Sequence, residues 1–178
     1  MLPEELISRL VTDLPRLNLV CRVDKGHAVA EVAPAKLPDL LSYLKESPDF
    51  AFAMFLDLTA VDWFEKRSPR FDVVYHLYSV EHNHRLRLKL QVDDGEAVPS
   101  ATKLWPVADW FEREVWDLYG IKFAGHPNLK RIMMYEEFKG HPLRKDYPYD
   151  KRQPLIEESW PVRKIQVQMK EATKIHRP

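Results

Sequence analysis

Residues 112–119 read Glu-Arg-Glu-Val-Trp-Asp-Leu-Tyr, and two Gly-His-Pro turns follow, in GHPNLKRIMM at 125–134 and GHPLRKDYP at 140–148. These residue types could do acid/base work: Glu112, Glu114 and Asp117 are carboxylates, and His126 or His141 could assist them. The spacing argues against it. At 100° per residue the three carboxylates do not converge on one point: Glu114 lies at the border of the face that carries Glu112 and Asp117. The chain has no Gly-rich phosphate loop, nucleophile elbow or HExxH motif. Metal ligation is equally thin. His82 and His84 would share one strand face, with His76 near, but no Cys or carboxylate stands beside them at ligand spacing.

Recognition is the better reading. Phe111, Val115, Leu118 and Tyr119 share one helical face; Asp109, Glu112, Arg113, Trp116 and Asp117 share the other. Arg113 has an acid four residues before it and another four after. Each such pair stabilises a helix by about 0.2–0.5 kcal/mol, so a solvated face is the plainer alternative. A tryptophan amid those charges instead suits the centre of an interface. In the Gly-His-Pro turns, proline pushes the histidine out of the α region and glycine permits an unusual φ. Each is a fixed bend presenting an imidazole. Arg144, braced between prolines, has the geometry to grip a carboxylate with two parallel hydrogen bonds.

The elements that must position these groups form an α+β pattern. A short helix is expected over 3–12. A hairpin follows over 18–33, turning at Asp24-Lys25-Gly26, and then a helix from Leu37 to just before Pro48 with Leu40, Leu41 and Leu44 inward. Three strands come next. AFAMFLDLTAVDW reads as a central strand covered on both faces. RFDVVYHLYSV is β-branched and aromatic. HRLRLKLQV alternates Leu and Val against charge, with one dry face, as an antiparallel sheet requires. A helix over 106–119 ends on Gly120. Beyond it the periodicity stops. The expectation is a globular domain over 1–120, with an antiparallel or mixed sheet packed by helices, and an extended interaction arm over 121–178. The arm's aromatics (Phe123, Tyr135, Phe138, Tyr147, Tyr149, Trp160) argue that it lies bound along something, with a helical piece near VRKIQVQMKEATKI.

Bulk numbers are ordinary: 178 residues, 45% apolar, 30% charged. No run approaches the roughly 20 apolar residues of a membrane span. The acidic start, MLPEELISRL, is neither a secretory signal nor a transit peptide. One cysteine, Cys21, reads as a small buried residue in a reducing compartment. Net charge is zero, which argues against nucleic acid. Residues 122–152 nevertheless hold eight Lys/Arg against four Asp/Glu, a segregation that suits docking to a charged protein surface.

The run from Glu112 to Met134, with GHPLRKDYP after it, resembles the 30-kDa-subunit family of NADH-quinone oxidoreductase, respiratory complex I. The motif falls on Glu112-Arg113-Glu114, Asp117, Leu118-Tyr119, His126, Lys130 and Ile132-Met133 without mismatch. The resemblance implies a component of the peripheral arm that contacts the quinone-site subunit, near the iron–sulfur subunits B and I. It would carry no cofactor, with FMN, iron–sulfur clusters and quinone held by partners. It would sit peripherally on the cytoplasmic side of a bacterial inner membrane. The resemblance makes Glu112, Arg113, Glu114 and Asp117 braces of the domain–arm junction or partners of the quinone-site subunit, with Trp116, His126, Lys130 and His141 beside them. Arg131, Arg144, Lys145 and Asp146 become the docking charges. After Tyr147-Pro148 many members continue Gly-Tyr-Glu-Val-Arg-Tyr; this chain has YDKRQPLIEESWPVRKIQVQ instead. Related subunits also occur in membrane-bound hydrogenases and ferredoxin-linked complexes.

Overall fold

A computed structural model describes residues 1–150 and Gln153. The helical piece expected near 162–175, Trp160 and most of the arm beyond 150 lie outside the described residues. Helix α1 (Pro3–Asp13) leads into the hairpin β1 (Val20–Asp24) and β2 (His27–Glu31). Lys25 and Gly26 both take positive φ, 51° and 78°. The two-residue turn thus has the left-handed pair that matches strand twist. Helix α2 (Leu37–Glu46) follows, with Leu37, Leu40, Leu41 and Leu44 buried. The meander β3 (Met54–Asp62), β4 (Phe71–Ser79) and β5 (His84–Val92) completes a five-stranded sheet in the order β1-β2-β5-β4-β3. Every pairing is antiparallel except β2 with β5. The sheet is therefore mixed.

Alternation decides which face is dry. Leu86, Leu88 and Leu90 of β5 join Phe71, Val73, Tyr75 and Leu77 of β4 in one cluster with Leu6, Leu10, Leu40, Leu41 and Val115 of the helices. Cys21 packs half-buried on its edge, and burial pushes its thiol pKa up. Among the described residues no helix lies on the other face. It carries Arg85, Arg87, Lys89 and Gln91 of β5, opposite Tyr78, His76, Val74 and Asp72 of β4.

Strand β3 corrects one expectation. It is an edge strand, with Met54 and Val61 exposed. Its apolar run looked continuous because Phe50 and Phe52, which precede the strand, turn into the core, and because Phe55 stacks on Phe111 at 5.8 Å. Helix α3 (Ala108–Tyr119) lies over this edge, starting two residues later than expected, since Pro106 and Val107 form a preceding turn. Gly120 caps it at φ 82°. The packed unit runs on past Gly120. Ile121 and Phe123 are core residues, and β7 (Lys122–Ala124) pairs in parallel with β6 (Ala97–Pro99). Residues 125–150 are irregular chain.

If alternation along β5 sets the core, Leu88→Ala should lower unfolding free energy by about 2–5 kcal/mol. Gln91→Ala, on the opposite face of the sheet, should change it by no more than about 0.5 kcal/mol. Urea unfolding of both variants checks this; equal losses would disprove the assignment of faces.

Candidate functional site: the junction of helix α3 and its strap

The segment 125–148, here called the strap, lies back along α3. A helix leaves its last four carbonyls without intrahelical partners. On α3 each of them is met. Gly120 N–H donates to Trp116 O at 2.8 Å, and Leu143 N–H to Leu118 O at 3.0 Å. The ring Nδ1 of His141 pairs with Asp117 O at 2.9 Å, and Arg144 reaches Tyr119 O at 3.4 Å. The approach is close: a Cβ on Gly120 would stand 2.7 Å from His141 Cδ2. Glycine is required there twice, for its φ and for the imidazole.

The charged face of α3 is spent on the same segment. Asp117 is wholly buried, and its Oδ2 accepts the backbone N–H of Ile132, Met133 and Met134 at 3.0, 2.8 and 2.9 Å. Its Oδ1 takes Arg131, whose guanidinium also donates to Phe138 O and Gly140 O. Burial alone would raise the Asp117 pKa; three amides and Arg131 outweigh it and hold the carboxyl below its usual range. Arg113 does the converse, donating Nε to Lys130 O and Nη2 to Arg131 O, both at 3.1 Å. One helix thus offers an anion to strap amides and a cation to strap carbonyls. The expected ion pair of Arg113 with Asp109 is present at 3.7 Å, whereas Asp117 pairs with Arg131.

Glu112 points elsewhere. It is fully buried and accepts Ser100 Oγ–H at 2.7 Å and Ala101 N–H at 2.6 Å, fixing the loop after β6. Burial pushes its pKa up to about 7 against those two bonds. The buried Tyr75 hydroxyl, within electrostatic reach of Glu112, has no hydrogen-bond partner among the described residues.

At the strap's far end a second knot ties it to the sheet. Asp62 closes β3, and its carboxylate accepts Arg70 at 2.7 and 2.8 Å and Lys145 N–H at 2.8 Å. Arg70 also donates to both oxygens of Asp146, at 3.1 and 2.8 Å. Arg144 grips a carboxylate with two prongs, as expected, but the carboxylate is Asp94 of its own chain. The two guanidiniums hold Asp146 far below the ordinary carboxylate range. Asp62, Arg70 and Asp94 went unnoticed in the sequence because each sits alone in a different segment.

The twelve residues expected to face a partner therefore divide. Glu112, Arg113, Asp117, Arg131, Arg144 and Asp146 are engaged inside the chain. His126 pairs with Asp109 O at 3.2 Å, and His141 stands edge-on to the half-buried Trp116 at 6.1 Å. Lys130 and Lys145 are exposed, and Glu114 is half-buried. The large exposed groups are different ones: Trp110 (59%), Met133 (57%), Leu143 (47%) and Tyr149. Among the described residues no three His, Cys, Asp or Glu could hold a metal. His82 and His84 stack at 5.5 Å, while His76 points to the opposite sheet face.

A family model described as the respiratory-chain NADH dehydrogenase 30 Kd subunit matches residues 30–153. The chain belongs to that family. It is 57% identical over 113 residues to an NADH-quinone oxidoreductase subunit from Caulobacter sp. (strain K31), an alignment covering 64% of this chain and 52% of that one. The corresponding subunit of Paramagnetospirillum magneticum is 47% identical over 136 residues, covering 76% and 68%. The chain spans about half the length of several curated relatives it matches. Among solved structures, a trypsin-resistant fragment (1-134) of Nqo5 superposes with TM-score 0.61 at 26% identity, covering 68% of this chain and 98% of that one. A chain of the membrane-bound sulfane sulfur reductase, an archaeal respiratory membrane complex, superposes with TM-score 0.70 at 25% identity, covering 88% and 98%.

Two outcomes follow for the junction of this family member. Asp117→Ala should cost about 3–5 kcal/mol of strap docking, because Arg131 and three amides lose one buried acceptor. Amide exchange at 132–134 and tryptic cleavage after Lys130 and Arg131 should rise; unchanged protection would refute the anchoring role. Glu112 should act with the opposite sign to the strap's depressed carboxylates. Its pKa is raised from 4.5 to about 7 on folding, so its contribution is full below pH 4.5 and lost as pH rises through 7. That slope amounts to about 3 kcal/mol. Glu112→Gln should flatten the pH–stability curve between those limits, read by thermal unfolding at several pH values; an unaltered slope would contradict it.

Proposed function

We propose that this chain is a cofactor-free structural subunit in the peripheral arm of an NADH:quinone oxidoreductase. It seats against the quinone-site subunit, near the iron–sulfur subunits B and I. FMN, iron–sulfur clusters and quinone belong to those partners, and the chain itself contributes no catalytic group. In this reading it is a peripheral component on the cytoplasmic side of a bacterial inner membrane, within a proton-translocating complex. No helix among the described residues is long and apolar enough to cross a membrane, which suits attachment through other subunits.

One observation carries the reading. Much of the strap's backbone and its buried charges are met within the chain, yet it turns Met133 and Leu143 to solvent, with Tyr149 exposed just beyond it and Lys130, Lys139, Lys145, Glu136 and Glu137 exposed around them. Large apolar side chains on a pre-organised segment, rimmed by charges of both signs, have the composition of a protein–protein interface with an apolar centre and a polar rim. The likeness to a chain of an archaeal sulfane sulfur reductase complex favours a second reading, the same module in a hydrogenase- or ferredoxin-linked complex. The higher identity to NADH-quinone oxidoreductase subunits supports the first.

Capture of the tagged full chain from gently solubilised membranes tests both. Iron–sulfur and quinone-site subunits with NADH-driven quinone reduction are the expected result; a nickel-binding large subunit would transfer the assignment to the second reading. Met133→Asp and Leu143→Asp should each reduce partner recovery about tenfold or more. Melting of the isolated chain should hold, as surface substitutions change stability by only about 0.5 kcal/mol. Normal assembly by both variants would sink the strap as the docking surface.

A further inference from the structure

The helix-free face of the sheet takes no part in the junction, and four donor-bearing side chains converge on it. Arg87 of β5 stands directly opposite His76 of β4, and Arg85 opposite Tyr78. His27 begins β2, one step before the Ala28–Leu86 pairing, and so flanks Arg85. His27, His76, Arg85 and Arg87 line one cavity of about 220 Å³ together with Leu56, Leu77 and Leu86. No carboxylate lines it.

The donors are unspent. Among the described residues, none of these four side chains makes a hydrogen bond. Arg87 has one ion pair, a long one of 3.8 Å to the exposed Asp24, and Arg85 lies 5.3 Å over the Tyr78 ring. By contrast Arg22, Arg67, Arg70, Arg113, Arg131 and Arg144 all donate hydrogen bonds to oxygens of their own chain. Two guanidiniums at a concavity repel a metal ion and attract an oxyanion, to which the imidazole N–H groups can also donate. The volume is well above the ~30 Å³ of one water and below the roughly 300–1,000 Å³ of drug-sized ligand pockets. A small anion fits that range.

We propose that this sheet face holds a binding site for a small oxyanion of the phosphate class, free in solution, gripped by Arg85 and Arg87 and flanked by His27 and His76. The groups facing His76 are Arg87 of β5, His27 of β2 and Asp57 of β3. Burial, then Arg87, holds the His76 pKa below its ordinary value. A bound dianion opposes that effect of Arg87, so binding takes up a proton and strengthens as pH falls.

The test uses the full chain and imidazole resonances in ¹H–¹³C spectra. Inorganic phosphate is the first probe. Sulfate is the probe for the pH arm, because its charge stays constant over the range. Both are titrated against chloride at fixed ionic strength. The expected result is saturable shifts confined to His27 and His76. Sulfate should bind a few-fold more weakly at pH 8 than at pH 6, short of the roughly tenfold that one pK unit of coupling gives across a full titration. Arg85→Gln and Arg87→Gln should each weaken binding about tenfold or more. Both lie on the helix-free face, and an unmoved His84 resonance reports an intact core in each; if one fails to fold, the other decides. Shifts that chloride reproduces, that spread over all the histidines, or that survive both substitutions would overturn the site. Equal sulfate affinity at pH 6 and pH 8 would remove the histidines from it.

Discussion

The end of α3 is the constraint on which the rest of this molecule depends. A helix that stops against the edge of a sheet exposes four carbonyls, and burying them unpaired would cost more than the packing returns. The strap is the solution. It brings an amide, an imidazole and a guanidinium to the carbonyls of residues 117–119, while Gly120 closes on residue 116. Gly120 also leaves the space that His141 fills. Once the strap is there, Asp117 and Arg113 can be buried, because each finds backbone partners on it. The Gly-His-Pro turns, the charged helix and the irregular chain after β7 are thus parts of one hydrogen-bonding problem.

Magnitudes separate the ionic contacts. Arg144–Asp94 and Arg70–Asp146 involve half-exposed carboxylates, so water and salt screen them and each contributes on the order of 1 kcal/mol or less. Asp62 and Asp117 are different. Their side chains are fully buried, they accept amides as well as guanidinium, and their pKa values fall despite desolvation. Those two carboxylates hold the strap. Glu112, with only two donors in an apolar surround, is destabilising when ionised, so lowering the pH toward 5 strengthens the body of the domain. The strap's carboxylates remain ionised there. The anchor and the body therefore respond to acid in different ranges, and the strap stays docked throughout the neutral range.

Much of this was legible from the chain. The hairpin turn, the alternation of β5, the inward leucines of α2 and the αL end of α3 each rest on local rules, and each is where the residues put it. The misplaced element was β3, whose apolar run reads alike at a sheet centre and at an edge covered by a helix. The charged face of α3 shows a different limit. A helical wheel reports which residues share a face and not what covers them. Trp116 amid charges looked like an interface anchor, yet it lies 5.8 Å beneath Arg131 of the strap, and the exposed tryptophan among the described residues is Trp110. The strap partners of Asp62 and Asp94, Lys145 and Arg144, lie 83 and 50 residues away in sequence, beyond any periodicity.

Internal satisfaction of the strap bears on how one fold serves in different assemblies. A segment that needed its partner to complete its hydrogen bonds would be tied to that partner's sequence. Here the bonds run from α3, β3 and the 93–95 turn to the strap, and the outward side chains carry none of that load. The surface residues can change while the scaffold is kept. That separation agrees with a fold shared between a 57% identical NADH-quinone oxidoreductase subunit and a 25% identical chain from a sulfane sulfur reductase complex. Under the proposed function, partner recognition would rest on Met133, Leu143, Tyr149 and the exposed charges between them, whose side chains turn away from the bonds that hold the strap.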